Sequence, residues 1–279
     1  MIIGTIVNAS GLTGAMLLAH SIKQQMPYAQ VVLCLVEENV NTDEHFPNVD
    51  RVITARALSS SIGFQDFDSY ILKFNALQHA AAMKGQLLKY LLETYPEEEH
   101  IVYLDSEMYV LGPFIELENK LLDYDIVLTP HHLEPSSPWD CSREIGTLSD
   151  GTFHSGLVAV RNSQEGHDFA DWWLTLIASH FERQLKGIFL DQPYLNYVPS
   201  FFNTGVLRHS GYNLAFWNLH EHGRQVYWEN NEYQLTNGVP LRCVHFSNFM
   251  GLLDYCLAAF IPDNKVYASL WNNYKEGAI

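Results

Sequence analysis

Basic residues are scarce in this sequence. It has 16 Lys and Arg against 32 Asp and Glu, which gives a formal net charge of -16. Such a balance argues against nucleic acid or an anionic membrane surface as a partner. A substrate with phosphate groups would therefore need local positive charge, and a divalent cation held by acidic side chains would supply it.

Long hydrophobic runs, paired cysteines and zinc-protease motifs are also missing. No apolar run approaches the roughly 20 residues that span a bilayer, and no basic segment precedes the apolar N-terminal residues as it would in a signal peptide. The four cysteines lack CxxC spacing, which is typical of buried free thiols in a reducing compartment. There is no HExxH, and the pairs His131-His132 and His220-x-His222 show no convincing third ligand. We therefore expect a cytoplasmic protein with no transmembrane segment.

Apolar runs alternate with helical patterns in the first half of the chain, which predicts βαβ units and a mostly parallel sheet. The length of 279 residues suits one α/β domain, with a nucleotide-binding half over about 1–128 and an acceptor-side half over about 129–279. The predicted strands are IIGTIV, VVLCLV, RVIT, HIVYLD and DIVLT. The predicted helical stretches are Leu12–Gln25, Tyr70–Tyr95, as one helix or two, and Phe114–Leu122.

The second half is less regular. The segment Pro130–Gly151 is rich in Pro, Ser and His, and its length indicates a functional loop or lid. A strand FHSGLVAV and a helix Gln164–Gln184 follow, and then the short predicted strands VPSFF, GVLRH and LRCVHF. Ligands of parallel α/β sheets bind beyond the carboxyl ends of the strands, so the loops after IIGTIV and HIVYLD are candidate sites.

The strongest local feature is the acidic end of HIVYLDSEMYVLGPF. Asp105, Ser106 and Glu107 directly follow a buried strand, and two carboxylates there offer the hard oxygen ligands that Mg²⁺ or Mn²⁺ prefers. A solvated turn would explain the same pattern equally well. His245, at the end of LRCVHF, is a candidate third ligand, and a mixed carboxylate–imidazole set favours Mn²⁺. A lone strand histidine is more often structural, so its role depends on the acidic pair.

Other candidates are weaker when taken alone. Asp191 and Gln192 could hydrogen-bond sugar hydroxyls, although Asp191 before Gln192-Pro193 also matches a helix cap. Lys84 could neutralise a phosphate, although it also reads as an ordinary exposed lysine. Trp217, Asn218, His220 and His222 could stack on and hydrogen-bond a sugar or base, although such aromatics usually pack in cores.

In order along the chain, these segments resemble retaining GT-A glycosyltransferases of the family 8 kind and related bacterial glycosyltransferases. The resemblance implies a Rossmann-like, mostly parallel sheet with helices on both faces. The segments that carry it are IIGTIVNAS, AAMKGQLLKYLL, IVYLDSEMYVLGP, LTPHHLEP, GTFHSGLVAVRNS, FADWWL, LDQPYLNYVPSFF, GYNLAFWNLHEH and NGVPLRCVHFSNF.

The resemblance also implies roles for individual residues. Asp105 and Glu107 match the DxD metal motif, and His245 matches the histidine that completes Mn²⁺ (or Mg²⁺) coordination. Asp191 and Gln192 match the pair that lies against the transferred sugar. The donor-binding residues would be Asn8, Ala9, Lys84, Asp105, Ser106, His154, Ser155, Gly156 and Asn218.

Four positions depart from the family pattern. The second metal carboxylate is Glu107 rather than Asp, and His154 stands where the family often has Asn. Phe-Ser-Asn follows His245 where Gly and then Lys are more usual, and Pro193 replaces an Asp after the Asp-Gln pair.

The expected activity is metal-dependent transfer of a hexose from a nucleoside-diphosphate sugar, a UDP-sugar by resemblance, with retention. The acceptor hydroxyl would belong to a carbohydrate, a lipid-linked molecule or a protein. One alternative is an inactive nucleotide-sugar- or glycan-binding protein, which Glu107 and His154 favour. The other is a sugar nucleotidyltransferase, but the loop NASGLTG contains no Lys or Arg, which counts against it.

Overall fold

A computed structural model describes residues 1–37, 46–64, 66–75, 78–136, 141–180 and 191–277. The strands in these ranges are β1 (Ile2–Val7), β2 (Gln30–Leu35), β3 (Arg51–Thr54), β4 (His100–Leu104), β5 (Met108–Val110), β6 (Ile126–Pro130), β7 (Phe153–Arg161), β8 (Thr204–Val206), β9 (Val226–Glu229), β10 (Glu232–Leu235) and β11 (Cys243–His245). The α-helices are α1 (Leu12–Gln25), α2 (Ala55–Ser61), α3 (Phe67–Ile71), α4 (His79–Thr94), α5 (Ile115–Asp123), α6 (Ser142–Asp150), α7 (Gln164–His180), α8 (Val198–Phe201), α9 (Leu252–Phe260) and α10 (Lys265–Glu276).

Seven strands form the central sheet in the order β3-β2-β1-β4-β7-β6-β8. All neighbours pair in parallel except β7, which runs antiparallel to both β4 and β6. The start of β7 therefore lies at the same sheet edge as the end of β4. The predicted mostly parallel α/β sheet is confirmed, and β7 brings residues 153–161 into its middle.

The two faces of the sheet carry separate apolar cores, because successive strand side chains point to opposite sides. On β1, Ile2 and Ile6 pack with α4 and α7, while Ile3 packs with α1 and α5. Gly4 allows α4 to lie close to β1, since a Cβ there would lie 2.6 Å from Leu91 Cδ1. The predicted helices on both faces are confirmed.

Two small antiparallel sheets complete the described strands. β5, just after the acidic turn, pairs with β11 so that Met108 lies opposite His245. This pairing brings Cys243–His245, in the last quarter of the sequence, to the end of β4, which sequence spacing alone does not indicate. The second small sheet is the hairpin of β9 and β10.

Two local predictions were wrong. VPSFF is not a strand but contains the short helix α8, where Pro199 in the first turn costs no helical hydrogen bond. Pro130–Gly151 is not only a loop, because α6 occupies its C-terminal part; residues 137–140 of that segment lie outside the described ranges. The stretch Tyr70–Tyr95 contains the end of α3 and the whole of α4, which agrees with the two-helix alternative.

The helix predicted over Gln164–Gln184 is confirmed as α7 up to His180, and its last four positions lie outside the described residues. No helix in the described ranges is both long and apolar enough to cross a bilayer.

Candidate functional site

Asp105 lies at the centre of the candidate site, one residue beyond β4. Its backbone N–H donates to the Gly156 carbonyl at 2.9 Å, which extends the β4–β7 ladder by one bond. Its Oδ1 accepts a 2.7 Å hydrogen bond from the Tyr103 hydroxyl. The carboxylate is thereby held at the carboxyl end of the parallel strands, where ligands of such sheets bind.

Two histidines from distant parts of the chain face the same carboxylate. Oδ2 of Asp105 lies 3.7 Å from His245 Nε2 and 3.9 Å from His154 Nε2. One ligand atom from each of the three residues lies within 4.8 Å of the other two. Within the described residues, both ring nitrogens of His245 and Nδ1 of His154 are buried without a hydrogen-bond partner. One carboxylate and two unengaged imidazoles fit a divalent transition metal ion.

Gly156 makes this convergence sterically possible. A Cβ at residue 156 would lie 2.3 Å from His154 Cε1 and 2.4 Å from Asp105 Oδ2. Both distances are far inside van der Waals contact, so any side chain here would displace both groups.

Lys84 is buried on α4 and binds two carboxylates at once. Its Nζ lies 3.3 Å from Asp105 Oδ1 and 3.0 Å from Asp191 Oδ2, and it donates to Ser155 Oγ at 2.9 Å. The ammonium also lies 5.0 Å from the ring centroid of Tyr103. The alternative of an ordinary exposed lysine is therefore excluded.

Charge state at the site follows from these contacts. Burial opposes the charge of Asp105, but Lys84 and the two imidazoles hold the pKa of its carboxyl well below the usual range. Burial, reinforced by His245, holds the pKa of His154 well below its usual value, so this imidazole is neutral and can offer a lone pair. Burial likewise opposes the charge of Lys84, yet Asp105 and Asp191 raise its pKa.

Asp191 and Gln192 lie beside this centre. Asp191 is fully buried, and its side chain makes no cap hydrogen bond to the 3₁₀ turn that follows, so the capping explanation does not hold. Gln192 Oε1 accepts from the Ser155 N–H at 3.1 Å, and its Nε2 donates to the Asp150 carbonyl at 2.8 Å. Its amide therefore connects β7 to the end of α6.

The first-strand residues occupy the same sheet edge. The Asn8 side chain accepts from the Gly11 N–H at 3.2 Å and thereby caps the short 3₁₀ turn after β1. The Ala9 N–H donates to Glu37 Oε1 at 2.8 Å, a contact that the sequence did not suggest.

Ser106 and Glu107 form the turn between β4 and β5. Glu107 is exposed, and it is not a member of the Asp105–His154–His245 cluster. Its backbone carbonyl accepts from the Phe246 N–H at 2.9 Å, which places Glu107 next to the strand that carries His245. Its role as a metal ligand stays a prediction.

Asn218 and Trp217 lie behind the histidines. The Asn218 amide donates to the carbonyls of His131 and Asn213 and accepts from the Ala215 N–H, so its hydrogen bonds serve the local backbone. The Trp217 ring packs at centroid distances of 4.8 Å from His154 and 5.2 Å from His245. The ring of His131 also lies here, with its centroid 5.2 Å from that of His154. The rings of Trp217 and His131 together form an aromatic wall behind the two imidazoles. From the sequence, His131 was named only as one of a histidine pair and was not placed at this site.

The sequence is similar to that of one curated protein over part of its length. No family model matches the chain. The uncharacterized protein YfnF of Bacillus subtilis (strain 168) is 25% identical over 175 residues, which are 62% of this chain and 57% of that protein. The match therefore spans little more than half of the length of this curated relative.

Solved structures give a clearer likeness. The galactosyltransferase LgtC, solved in complex with donor and acceptor sugar analogues, superposes with a TM-score of 0.56 at 13% identity, covering 100% of this chain and 95% of LgtC. The bifunctional glycosyltransferase WbbM superposes with a TM-score of 0.51 at 14% identity, covering 96% of this chain and 51% of WbbM. The chain has the GT-A fold.

Proposed function

We propose that the protein is a glycosyltransferase that uses a divalent cation, Mn²⁺ or Mg²⁺, to transfer a hexose from a nucleoside-diphosphate sugar to a hydroxyl group. The observation that supports this most is the convergence of Asp105, His154 and His245 at the ligand-binding edge of a GT-A sheet. The likeness to LgtC, whose structure contains donor and acceptor sugar analogues, supports a sugar donor.

The charges of the site suit this function. The two carboxylates of Asp105 and Asp191 and the ammonium of Lys84 sum to one net negative charge. This charge attracts a divalent cation, and the cation would keep enough positive charge to bind a diphosphate. When bound, the cation would supply the Lewis-acid charge that stabilises a leaving diphosphate. Asp105, His154 and His245 would hold it, and exposed Glu107 could reach it by side-chain rotation.

The buried pair Lys84–Asp191 would act on the sugar side. As the bond to the diphosphate breaks, positive charge develops on the sugar, and the fixed carboxylate of Asp191 stabilises it. Gln192, held by Ser155 and Asp150, would keep the sugar side of the site rigid against the donor. Asn8 and Ala9 are proposed to contact the nucleotide, and the proposed nucleotide is UDP.

The acceptor is proposed to offer a hydroxyl from a carbohydrate, a lipid-linked molecule or a protein. With retention of configuration, the hydroxyl would attack on the leaving-group side, and its proton would pass to the departing phosphate. No separate basic side chain is required in that case.

A donor-consumption assay tests this function. Purified protein is incubated with individual UDP-, GDP- and TDP-sugars, with Mn²⁺, Mg²⁺ or EDTA, and released nucleoside diphosphate is measured. We expect cation-dependent release from at least one donor, and loss of that release in the double variant Asp105→Asn, Glu107→Gln. The matched control Asp123→Asn changes an exposed carboxylate on α5 and should retain the activity.

Full activity in the double variant would contradict the proposal. Tight binding of a nucleoside diphosphate with Mn²⁺ but no turnover of any donor would instead support the inactive binding protein. Net formation of a nucleotide sugar would support the nucleotidyltransferase.

A further inference from the structure

A second group of metal-ligating side chains lies outside the site described above. His132, on the segment after β6, meets His220 and Glu221 from the loop before β9, and one ligand atom from each lies within 4.8 Å of the other two. His132 Nδ1 is 3.6 Å from Glu221 Oε1. The two histidine pairs of the sequence each contribute one imidazole, and Glu221 is the third partner that their spacing does not reveal.

Both imidazoles in this group have an unengaged nitrogen. His132 Nδ1 and His220 Nε2 are shielded from solvent, and neither has a hydrogen-bond partner among the described residues. A buried polar atom without a hydrogen-bond partner destabilises the fold, because its lost hydration is not replaced. Such atoms therefore often mark the place of a bound ion or water. A bound cation would satisfy both nitrogens together.

Glu221 is held in position by surrounding groups. The Arg224 guanidinium binds its Oε2, and Arg224 also donates to the Ser210 carbonyl at 2.5 Å. Oε1 accepts from the Leu133 N–H at 2.8 Å and faces His132. Hydrogen bonds that fix a carboxylate from behind are typical of metal ligands.

A cationic and an aromatic side chain lie close to His220. Glu221 carries one negative charge, which its ion pair with Arg224 offsets, so these two residues together add no net charge to the cluster. Arg143 packs on Phe260, which in turn contacts His220.

We propose that His132, His220 and Glu221 form a second metal site, which would take Zn²⁺ and fasten the segment after β6 to the loop before β9. Two imidazole nitrogens and one carboxylate oxygen suit tetrahedral Zn²⁺, with water as the fourth ligand. The site shares no residue with the Asp105 cluster. Adjacent His131 packs 5.3 Å from Trp217 in the aromatic wall behind the first site, so an ion bound here would also help to hold that wall in place.

Zn²⁺ titration of the whole chain tests the proposal. The background variant Asp105→Asn, His245→Gln removes two ligands of the first cluster, so the remaining binding reports on the second. Metal-free protein in this background is titrated with Zn²⁺ by calorimetry. We expect one Zn²⁺ per chain, and at least a tenfold loss of affinity when either His132→Gln or His220→Gln is added. His222→Gln is the matched control, since His222 is exposed and pairs with Glu134 outside the cluster.

Cobalt substitution gives a readout that requires no change to His132, His220 or Glu221. Co²⁺ bound to the background variant should show the intense visible absorption of tetrahedral coordination, and a single equivalent of Zn²⁺ should remove it. Absence of Zn²⁺ binding in the background variant would overturn the proposal. Affinity that is unchanged by both His132→Gln and His220→Gln would do the same.

Discussion

Gly156 leaves open the space that the carboxylate of Asp105 occupies, since a Cβ at residue 156 would lie 2.4 Å from Oδ2. The two residues are also joined by the backbone hydrogen bond from Asp105 N–H to the Gly156 carbonyl. The position of the central acidic group therefore depends on a residue that contributes no side chain.

Gly156→Ala should reduce cation-dependent donor turnover by about 100-fold, because a misplacement of roughly 1 Å at reacting groups has that order of effect. The added methyl group would push Asp105 and His154 apart from their shared position. Released nucleoside diphosphate is the measurement. Gly146→Ala, on α6 with open space around its Cα, is the control and should remain active. Wild-type turnover in Gly156→Ala would show that the carboxylate position is not critical.

Lys84→Met should lower the free energy of unfolding by about 3 kcal/mol, since removing one partner of a buried ion pair leaves the others uncompensated. Fully buried Asp191 would lose its cation. Urea denaturation in EDTA measures the change. Adding Asp191→Asn to this variant should restore part of the loss, because the unpaired carboxylate is then gone.

The control for that series is Lys89→Met, also on α4, which removes partly exposed ion pairs to Glu93 on α4 and Asp171 on α7. Such pairs contribute about 0–1 kcal/mol. Equal destabilisation in the Lys84 and Lys89 variants would contradict a special role for the buried ammonium.

His154→Gln should weaken Mn²⁺ binding more than Glu107→Gln does. His154 already lies 3.9 Å from the Asp105 carboxylate, whereas Glu107 is exposed and must rotate toward the ion. Calorimetric titration of Mn²⁺ in the presence of UDP compares the two variants. The reverse order would assign the third ligand to Glu107, as the family resemblance implies.

Asp125 should give the stability a defined pH dependence. Burial opposes its charge, but hydrogen bonds from Ser163, Asn203 and Arg161 lower its pKa below the ordinary 3.8. A carboxyl whose pKa is lower in the folded state stabilises the fold fully above the unfolded value, and this stability is lost as the pH falls through the folded value. Asp125→Asn should therefore destabilise the protein at neutral pH by about 1–3 kcal/mol.

Urea denaturation at several pH values checks this. The difference between wild type and Asp125→Asn should narrow as the pH falls below 3.8. Exposed Asp123→Asn, two residues away, is the control and should follow the wild type. A difference that does not vary with pH would rule out the proposed linkage.

Hydrophobic periodicity predicted the elements that surround the site, because β1, β4, β6 and α1 each have a clear apolar pattern. The position of Asp105 at a strand end followed from the same pattern. The proximity of His245 rested on resemblance, since the β5–β11 pairing joins residues far apart in the chain. Long-range pairing of short strands leaves no local trace in a sequence.

Residues that act through long-range side-chain hydrogen bonds were the hardest to predict. Tyr103 reads as one more apolar strand residue, yet its hydroxyl binds Asp105. Glu37 follows β2 in a polar stretch, yet it accepts from Ala9. VPSFF was predicted to be a strand, yet it contains the short α8, which directly follows the 3₁₀ turn Gln192–Tyr197.

Whether Asp105 and His245 bind the same cation as the diphosphate can be seen by anomalous X-ray diffraction from crystals grown with Mn²⁺ and UDP. We expect one manganese peak at direct coordination distance from the Asp105 carboxylate and the His245 imidazole, with the diphosphate oxygens of UDP on the same ion. A manganese ion and diphosphate bound elsewhere, with Asp105 and His245 making no contact to either, would contradict this expectation.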